Sequence, residues 1–358
     1  MQHPKFSRSL DKNFSNEVKK RVRRYFKDNG ISTHANISMK LKTALMLSLF
    51  LIPLTTLSLG IINSTGMLFT LYILSGFGMA GIGMGVMHDA IHGSYSKSSK
   101  LNKILGYTMN LIGANATVWK LQHNVLHHTY TNIQESDDDI NMPFFLRFSP
   151  HAKKYKIHKF QFIYVWFFYS ISTIAWITMK DFVRLFRYRN MGMIPSKAEF
   201  RDSLIKLIFW KILYYTYALI LPAVFLPFSF GLVLLAFLSM HIVTGLVISC
   251  VFQVAHIMPG IEYPTSNEEG EIENNWLVHQ LLTTSNFSPK SKLFSWLIGG
   301  LNYQIEHHLF PNICHVHYRH ISPIVKDIAL QYGIAYNEKS TFVEALGDHL
   351  KMLKTLGK

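Results

Sequence analysis

Eight histidines stand at spacings that suit metal ligation. His88 and His92, in HDAIH, are four residues apart, so a helix sets both on one face. His123 and His127, in HNVLHH, repeat the interval, and His128 adds a neighbouring direction. His307 and His308 are adjacent in QIEHH, and His256 closes the apolar run of VFQVAHIMPG. A single histidine is more often structural than ligating. The weight lies in two i, i+4 pairs and two His-His dipeptides in a chain with 18 histidines among 358 residues. Imidazole suits zinc, copper, iron and nickel. Eight imidazoles exceed what one tetrahedral or octahedral ion takes, and a structural zinc needs only four ligands, so a two-metal centre is the economical reading.

These side chains need elements that bring them to one face. Hydrophobic residues make up 49% of the chain and charged residues 16%, against roughly 25% charged in soluble domains. The mean hydropathy is +0.16. This composition points to an all-α integral membrane protein. Residues 43–63 and 66–87 are each long enough to span a bilayer, which takes ~20 apolar residues. Gly76, Gly78, Gly81, Gly83 and Gly85 in the second allow close helix packing. Three further apolar stretches cover 160–179, 204–226 and 230–256. Lys and Arg lie before residue 43, between 88 and 211, and after 289; the turns at Asn63-Ser64-Thr65 and Pro227-Phe228-Ser229 have none. By the positive-inside rule the charged side is cytoplasmic. Topology is one cause of the +15 net charge. Attraction to anionic lipid, an acidic protein or a phosphate-bearing substrate is the other.

For the histidines after 88 and after 300 to share a site, an even number of spans must separate them. Three stretches are available, so one does not cross. Residues 160–179 have basic flanks on both sides, Lys153, Lys154, Lys156 and Lys159, then Lys180, Arg184, Arg187 and Arg189. That symmetry suits an interfacial helix. The expected fold is four transmembrane helices as two hairpins, with a cytoplasmic helical cap holding the metals. Residues 1–42 form a basic N-terminal segment without a signal-peptide pattern, and 43–358 form the membrane domain. Within the former, SNEVKKRVRRYFKDNG reads as a helix capped by Ser15 and stopped by Gly30, with Val18, Val22, Tyr25 and Phe26 on one face. It is either packed on the protein or docked on a membrane or partner. Cys250 and Cys314 are not expected to pair.

Neutral imidazoles need their second nitrogen oriented, usually by a carboxylate or carbonyl. Asp89, Glu306, Asp137, Asp138 and Asp139 are the nearby acids, and the ESDDDI run is either such a supporting shell or a solvated loop. Trp119, one turn before His123, is either core or a channel wall. His279 is a further candidate, though structural roles suit it, His315, His317 and His320 better. A metal transporter would need ionisable residues at mid-bilayer; Lys211 stands near a span end and His241 alone mid-span, as a packed polar residue.

HDAIH, HNVLHH and QIEHH resemble the three histidine boxes of membrane fatty acid desaturases. The likeness covers most of the chain, with boxes one and two after the second span and box three after the fourth. TTSNFSPKSKLFSWLIGGLNYQIEHHLFP is similar to the segment before box three in front-end (delta-5/delta-6-like) desaturases and bacterial linoleoyl-CoA-desaturase-like proteins, in which a glutamine, here Gln304, opens that box. The resemblance implies two iron ions on His88, His92, His123, His127, His128, His256, His307 and His308, with Gln304 as ligand, water-mediated contact or supporting residue; of the nearby acids, Asp89, Asp138 and Asp139 are the ones expected behind them. It implies O2-dependent insertion of a cis double bond into an acyl-CoA or acyl-lipid with two electrons. Related membrane hydroxylases share the boxes and are the alternative enzyme class. The chain departs from eukaryotic front-end enzymes in lacking the HPGG motif of a fused cytochrome b5 domain; it has only HPKF at His3-Pro4. The implied electron donor is therefore separate, a ferredoxin or cytochrome b5-like protein, steered by the basic face. A bacterial inner membrane, with the site on the cytoplasmic side and no nucleic-acid partner, completes the expectation.

Overall fold

The computed structural model describes residues 4–7 and 11–358, so His3 of HPKF lies outside the described residues. The main helices are α1 (Lys12–Asp28), α2 (Ile37–Ser58), α3 (Thr65–His92), α4 (116–130), α5 (Lys156–Ser170), α6 (Ser172–Asn190), α7 (Lys197–Phe225), α8 (Phe230–His256), α9 (Trp276–Leu282), α10 (Gln304–Leu309), α11 (Tyr318–Gln331) and α12 (Phe342–Gly357). Two parallel ladders join β1 (Lys5–Phe6) to β2 (Glu271–Ile272) and β3 (Asn286–Phe287) to β4 (Glu338–Lys339). The chain divides into two compact units. One takes the chain up to Asn36, Gln122–Val165 and Cys250–Lys358; the other takes Ile37–Leu121 and Trp166–Ser249.

Among the described residues α2, α3, α7 and α8 are long and apolar enough to cross a membrane, and α5 with α6 forms a further candidate bent by 55° at its break. α2 and α7 begin before their apolar runs, α3 ends after its own, and α8 coincides with 230–256. α2 starts at Ile37, well before residue 43, and stops at Ser58. Gly60 then takes φ +71°, in the region that favours glycine. Ser64 caps α3 by accepting from the Met67 N–H. α3 passes through a π-turn at Ile82–Val86, near the end of its apolar run, and carries HDAIH in its last turns. A Cβ on Gly78 would come within 2.5–2.9 Å of the backbone of Leu49 and Phe50 on α2, so glycine is what lets these two helices approach.

In the same unit Lys211 of α7 is buried, and its ammonium donates to Asp181 Oδ2 (2.7 Å), Gly113 O (2.7 Å) and Trp176 O (2.8 Å). His241 is held between the Tyr214 hydroxyl (2.7 Å) and Thr173 Oγ1 (3.2 Å). It is a packed polar residue.

In the other unit α1 begins at Lys12, after Asp11 in a left-handed conformation, so Ser15 is not its cap. The Ser15 hydroxyl instead accepts from Asn275 Nδ2 at 2.9 Å, a tertiary use that local pattern does not show. Phe14, Val18, Val22 and Phe26 are buried in one apolar cluster with Leu277, Leu281, Ile321, Val325 and Ile328; Tyr25 packs against its edge. The packed alternative for this helix is the one realised.

Candidate metal centre

Six of the eight histidines gather in one unit, from three elements. α4 supplies His123, His127 and His128, the last turn of α8 supplies His256, and α10 supplies His307 and His308. The middle of α4, Leu121–His127, is π-helical. A π-turn bonds i to i+5, so it aligns His123 with His128 as well as with His127. His128 Nε2 lies 3.2 Å from His123 Nε2 and 3.0 Å from His307 Nε2. One nitrogen cannot donate a single proton to both neighbours, so three ring nitrogens facing each other suit a shared cation.

A second focus is formed by His127, His256 and His308, whose candidate ligand atoms lie within 4.8 Å of one another. Their Nε2 atoms are buried and have no hydrogen-bond partner. Each Nδ1 is occupied. His127 Nδ1 is 3.1 Å from both Asp137 oxygens, His308 Nδ1 is 2.7 Å from Gln280 Oε1, and His256 Nδ1 is 3.3 Å from Thr283 O. With Nδ1 as the donor, each ring presents a lone pair on Nε2, the tautomer a metal takes. A buried imidazole nitrogen left without a partner carries a desolvation cost of about 1–3 kcal/mol. Three of them converging fit a metal ion in chemistry and in placement.

The supporting acids sort themselves. Asp137 contacts His127 directly and is itself fixed by the N–H groups of Asn132 (2.9 Å) and Asp139 (2.8 Å). Asp139 lies 3.6 Å from His127 Nδ1 and 3.8 Å from His123 Nδ1, and accepts from Gln122 Nε2 at 2.5 Å. Burial works against charge on His127, but Asp137 and Asp139 outweigh it and raise its pKa to about 8, so at neutral pH a metal would take the lone pair by displacing the Nε2 proton. Asp138 is buried in the same loop. Glu306 is turned to other partners: it accepts from Asn286 Nδ2 and from the Tyr336 hydroxyl, both at 2.8 Å, and burial pushes it up to about 7. Glu306 thus anchors the QIEHH turn to a polar cluster. Gln304 is fully buried, and both its amide atoms lack a hydrogen-bond partner.

His88 and His92 belong to the other unit. Their rings are 4.8 Å apart, and Trp119 sits with its ring 5.6 Å from His88 and 6.0 Å from His92. The Asp89 carboxylate is 3.9 Å from His88 Nδ1. Among the remaining histidines, His317 Nε2–H donates to His34 O at 3.0 Å and His320 stacks over Tyr25. His315 is buried, and His279 packs against Phe6. Sequence reading missed Gln280, Gln122, Thr131 and Tyr318. Thr131 donates to Gln280 Oε1 at 2.9 Å, and the Tyr318 hydroxyl is 3.3 Å from His307 Nδ1.

Fold and centre define a helical protein with membrane-length spans and buried imidazole clusters able to take metal. The fatty acid desaturase family model matches residues 64–340. The chain is 32% identical over 349 residues to the sn-1 linoleoyl-lipid 6-desaturase of Synechocystis sp., covering 96% of each chain. It is 33% identical over 344 residues to the enzyme of that name from Arthrospira platensis, covering 96% of this chain and 92% of the other. With the acyl-lipid (8-3)-desaturase of Physcomitrium patens it shares 35% over 346 residues, 95% of this chain and 71% of the moss protein. The chain belongs to the fatty acid desaturase family, and is an oxidoreductase acting on acyl chains. The hydroxylase alternative finds no support in these relatives.

Proposed function

We propose that this desaturase inserts a cis double bond into the acyl chain of a membrane lipid at a di-iron centre, close to the carboxyl end. The observation that carries the metal is the trio of buried, unpartnered Nε2 atoms on His127, His256 and His308. The two cyanobacterial relatives named as linoleoyl-lipid 6-desaturases support an acyl-lipid substrate over acyl-CoA, and position 6. Gln304, opening the third box, supports the same subgroup.

The ligands would be His88, His92, His123, His127, His128, His256, His307 and His308, with Gln304 as a further contact; the box motifs support the first pair. Bound iron supplies O2 activation and hydrogen abstraction from an unactivated chain. The protein's own residues orient and exclude. Asp137 fixes the ring of His127, and Gln280 fixes that of His308. Apolar walls exclude water and choose the carbon by geometry, since a plain methylene offers no polar handle. The overall change is –CH2–CH2– plus O2, two electrons and two protons to –CH=CH– plus two waters. The electrons come from a separate carrier. The distribution of Lys and Arg supports an active site on the cytoplasmic side of a bacterial inner membrane.

The test is expression in a host without polyunsaturated lipids, feeding of defined acids, and location of new double bonds by mass spectrometry. A new cis bond at position 6 is expected, with about two irons per chain and no Soret band. His127→Ala and His308→Ala should remove product while the protein still inserts. Continued desaturation by either variant refutes the ligand assignment.

A further inference from the structure

A hydrogen-bonded connection runs from the surface inward to the imidazole cluster. A groove runs between the first half of α1 and the start of α9, lined by Lys12, Ser15, Asn16, Lys19, Asn275 and Trp276. Its two walls are tied by the Asn275–Ser15 hydrogen bond of 2.9 Å. Trp276 is partly exposed there. Its indole Nε1–H donates to the backbone oxygen of His128 at 3.0 Å. One hydrogen bond therefore joins an aromatic ring in a surface groove to the backbone of a histidine at the heart of the imidazole cluster. His128 in turn has its Nε2 within 3.2 Å of two other ring nitrogens.

The rim of this groove is cationic. α1 carries seven Lys and Arg residues against Glu17 and Asp28. Lys12, Lys19, Lys20 and Arg23 are exposed, and among the described residues they form no ion pair. Exposed acids, Glu268, Glu269, Glu271 and Glu273, precede the groove residue Asn275 in the chain. The charged residues that line the groove itself, Lys12 and Lys19, are both basic, and such a wall is complementary to an acidic protein. A bilayer surface is the poorer fit. A helix that inserts into lipid needs its apolar face free, whereas Phe14, Val18, Val22 and Phe26 are committed to the core.

We infer that this groove is the docking site of a small, acidic, one-electron carrier protein, and that Trp276 is the entry point through which its electron reaches His128. The inference rests on the desaturase reading. Each carrier gives up one electron, so two dockings supply the two electrons that, with two protons and O2, turn –CH2–CH2– into –CH=CH– and two waters.

The experiment uses the full-length iron-loaded protein in lipid nanodiscs. Binding of a plant-type [2Fe–2S] ferredoxin, and of the soluble haem domain of cytochrome b5, is measured by calorimetry at low and high salt. Lys12→Glu/Lys19→Glu should weaken binding of at least one carrier by roughly tenfold or more at low salt and flatten its salt dependence. Glu271→Lys/Glu273→Lys should leave that binding intact or tighten it. Trp276→Phe should keep the affinity but slow oxidation of the pre-reduced carrier, followed by its own absorbance in a single mixing. Wild-type affinity of the Lys12→Glu/Lys19→Glu protein for both carriers overturns the docking site. So does a variant that loses only its affinity for phosphatidylglycerol vesicles. Electron uptake by Trp276→Phe at the wild-type rate overturns the entry point. Absence of new double bonds from a wild-type protein that binds and oxidises the carrier would overturn the desaturase reading alone.

Discussion

Gln280 shows how much of a metal site is decided by residues that never touch the metal. Its Oε1 accepts from His308 Nδ1 (2.7 Å) and from Thr131 (2.9 Å), which leaves His308 in the tautomer with Nε2 turned to the cluster. Loss of such an outer partner typically costs 10–100-fold in metal affinity. Gln280→Leu is therefore expected to lower metal retention against a competing chelator by about that factor, read by metal analysis of the purified protein. Gln280→Glu, which keeps an acceptor in place, should retain it better. Equal retention in the Leu variant would remove Gln280 from this role. None of this was legible locally. The boxes were, because i, i+4 spacing and adjacent histidines are properties of one helical turn. Gln280 is 28 residues from His308 and sits in WLVHQLL, where nothing marks it. Three consecutive acids, Asp137 to Asp139, were all visible, but which of them turns toward His127 depends on the dihedral angles of a loop. The structure selects Asp137, with Asp139 behind it.

At the scale of elements, composition located the apolar helices, matched both ends of α8 and missed the starts of α2 and α7. The first turns of α2, Ile37–Lys42, carry two lysines that break the apolar run, yet Met39 and Lys42 are both buried in the fold. The π-turns in α3 and α4 left no trace in the periodicity, yet the one in α4 is what sets His128 beside His123. The bent pair α5 and α6 is the element whose placement matters most for topology. Asp181, in α6, is bonded to Lys211 of α7. Charged residues recur along α7 as far as Lys211 and none follows it to Phe225, so Lys211 marks the charged end of the span. This pins the middle of α6 near the end of the α7 span and supports an interfacial path rather than a crossing. In a background lacking Cys250 and Cys314, single cysteines placed at the exposed positions 98, 192 and 312 should all be labelled from the cytoplasmic side. Labelling of position 192 from the opposite side alone would make the bent pair a true span.

For the whole molecule, the unit that gathers six of the histidines is sewn from three separated stretches of chain. Its apolar cluster includes α1, which lies more than 90 residues before His123 and contributes no ligand. The amphipathic pattern of α1 was readable, but what its apolar face meets was not, because Ile321, Val325 and Ile328 are almost 300 residues away. That packing makes α1 part of the scaffold under the metal centre. Ile305 and Leu309 of the QIEHH helix belong to the same cluster as Val18 and Val22. Val22→Asp would bury an unpaired carboxylate there, at a cost of roughly 3 kcal/mol or more. Both the melting temperature and the metal bound per chain are expected to fall, although every ligand is intact. Lys27→Gln, on the exposed side of the same helix, should change neither. A Val22→Asp protein with full metal content and an unchanged melting temperature would mean that α1 only covers the unit. A joint loss would make the N-terminal helix a structural condition for metal binding, reached through α10 rather than through any contact with the ions.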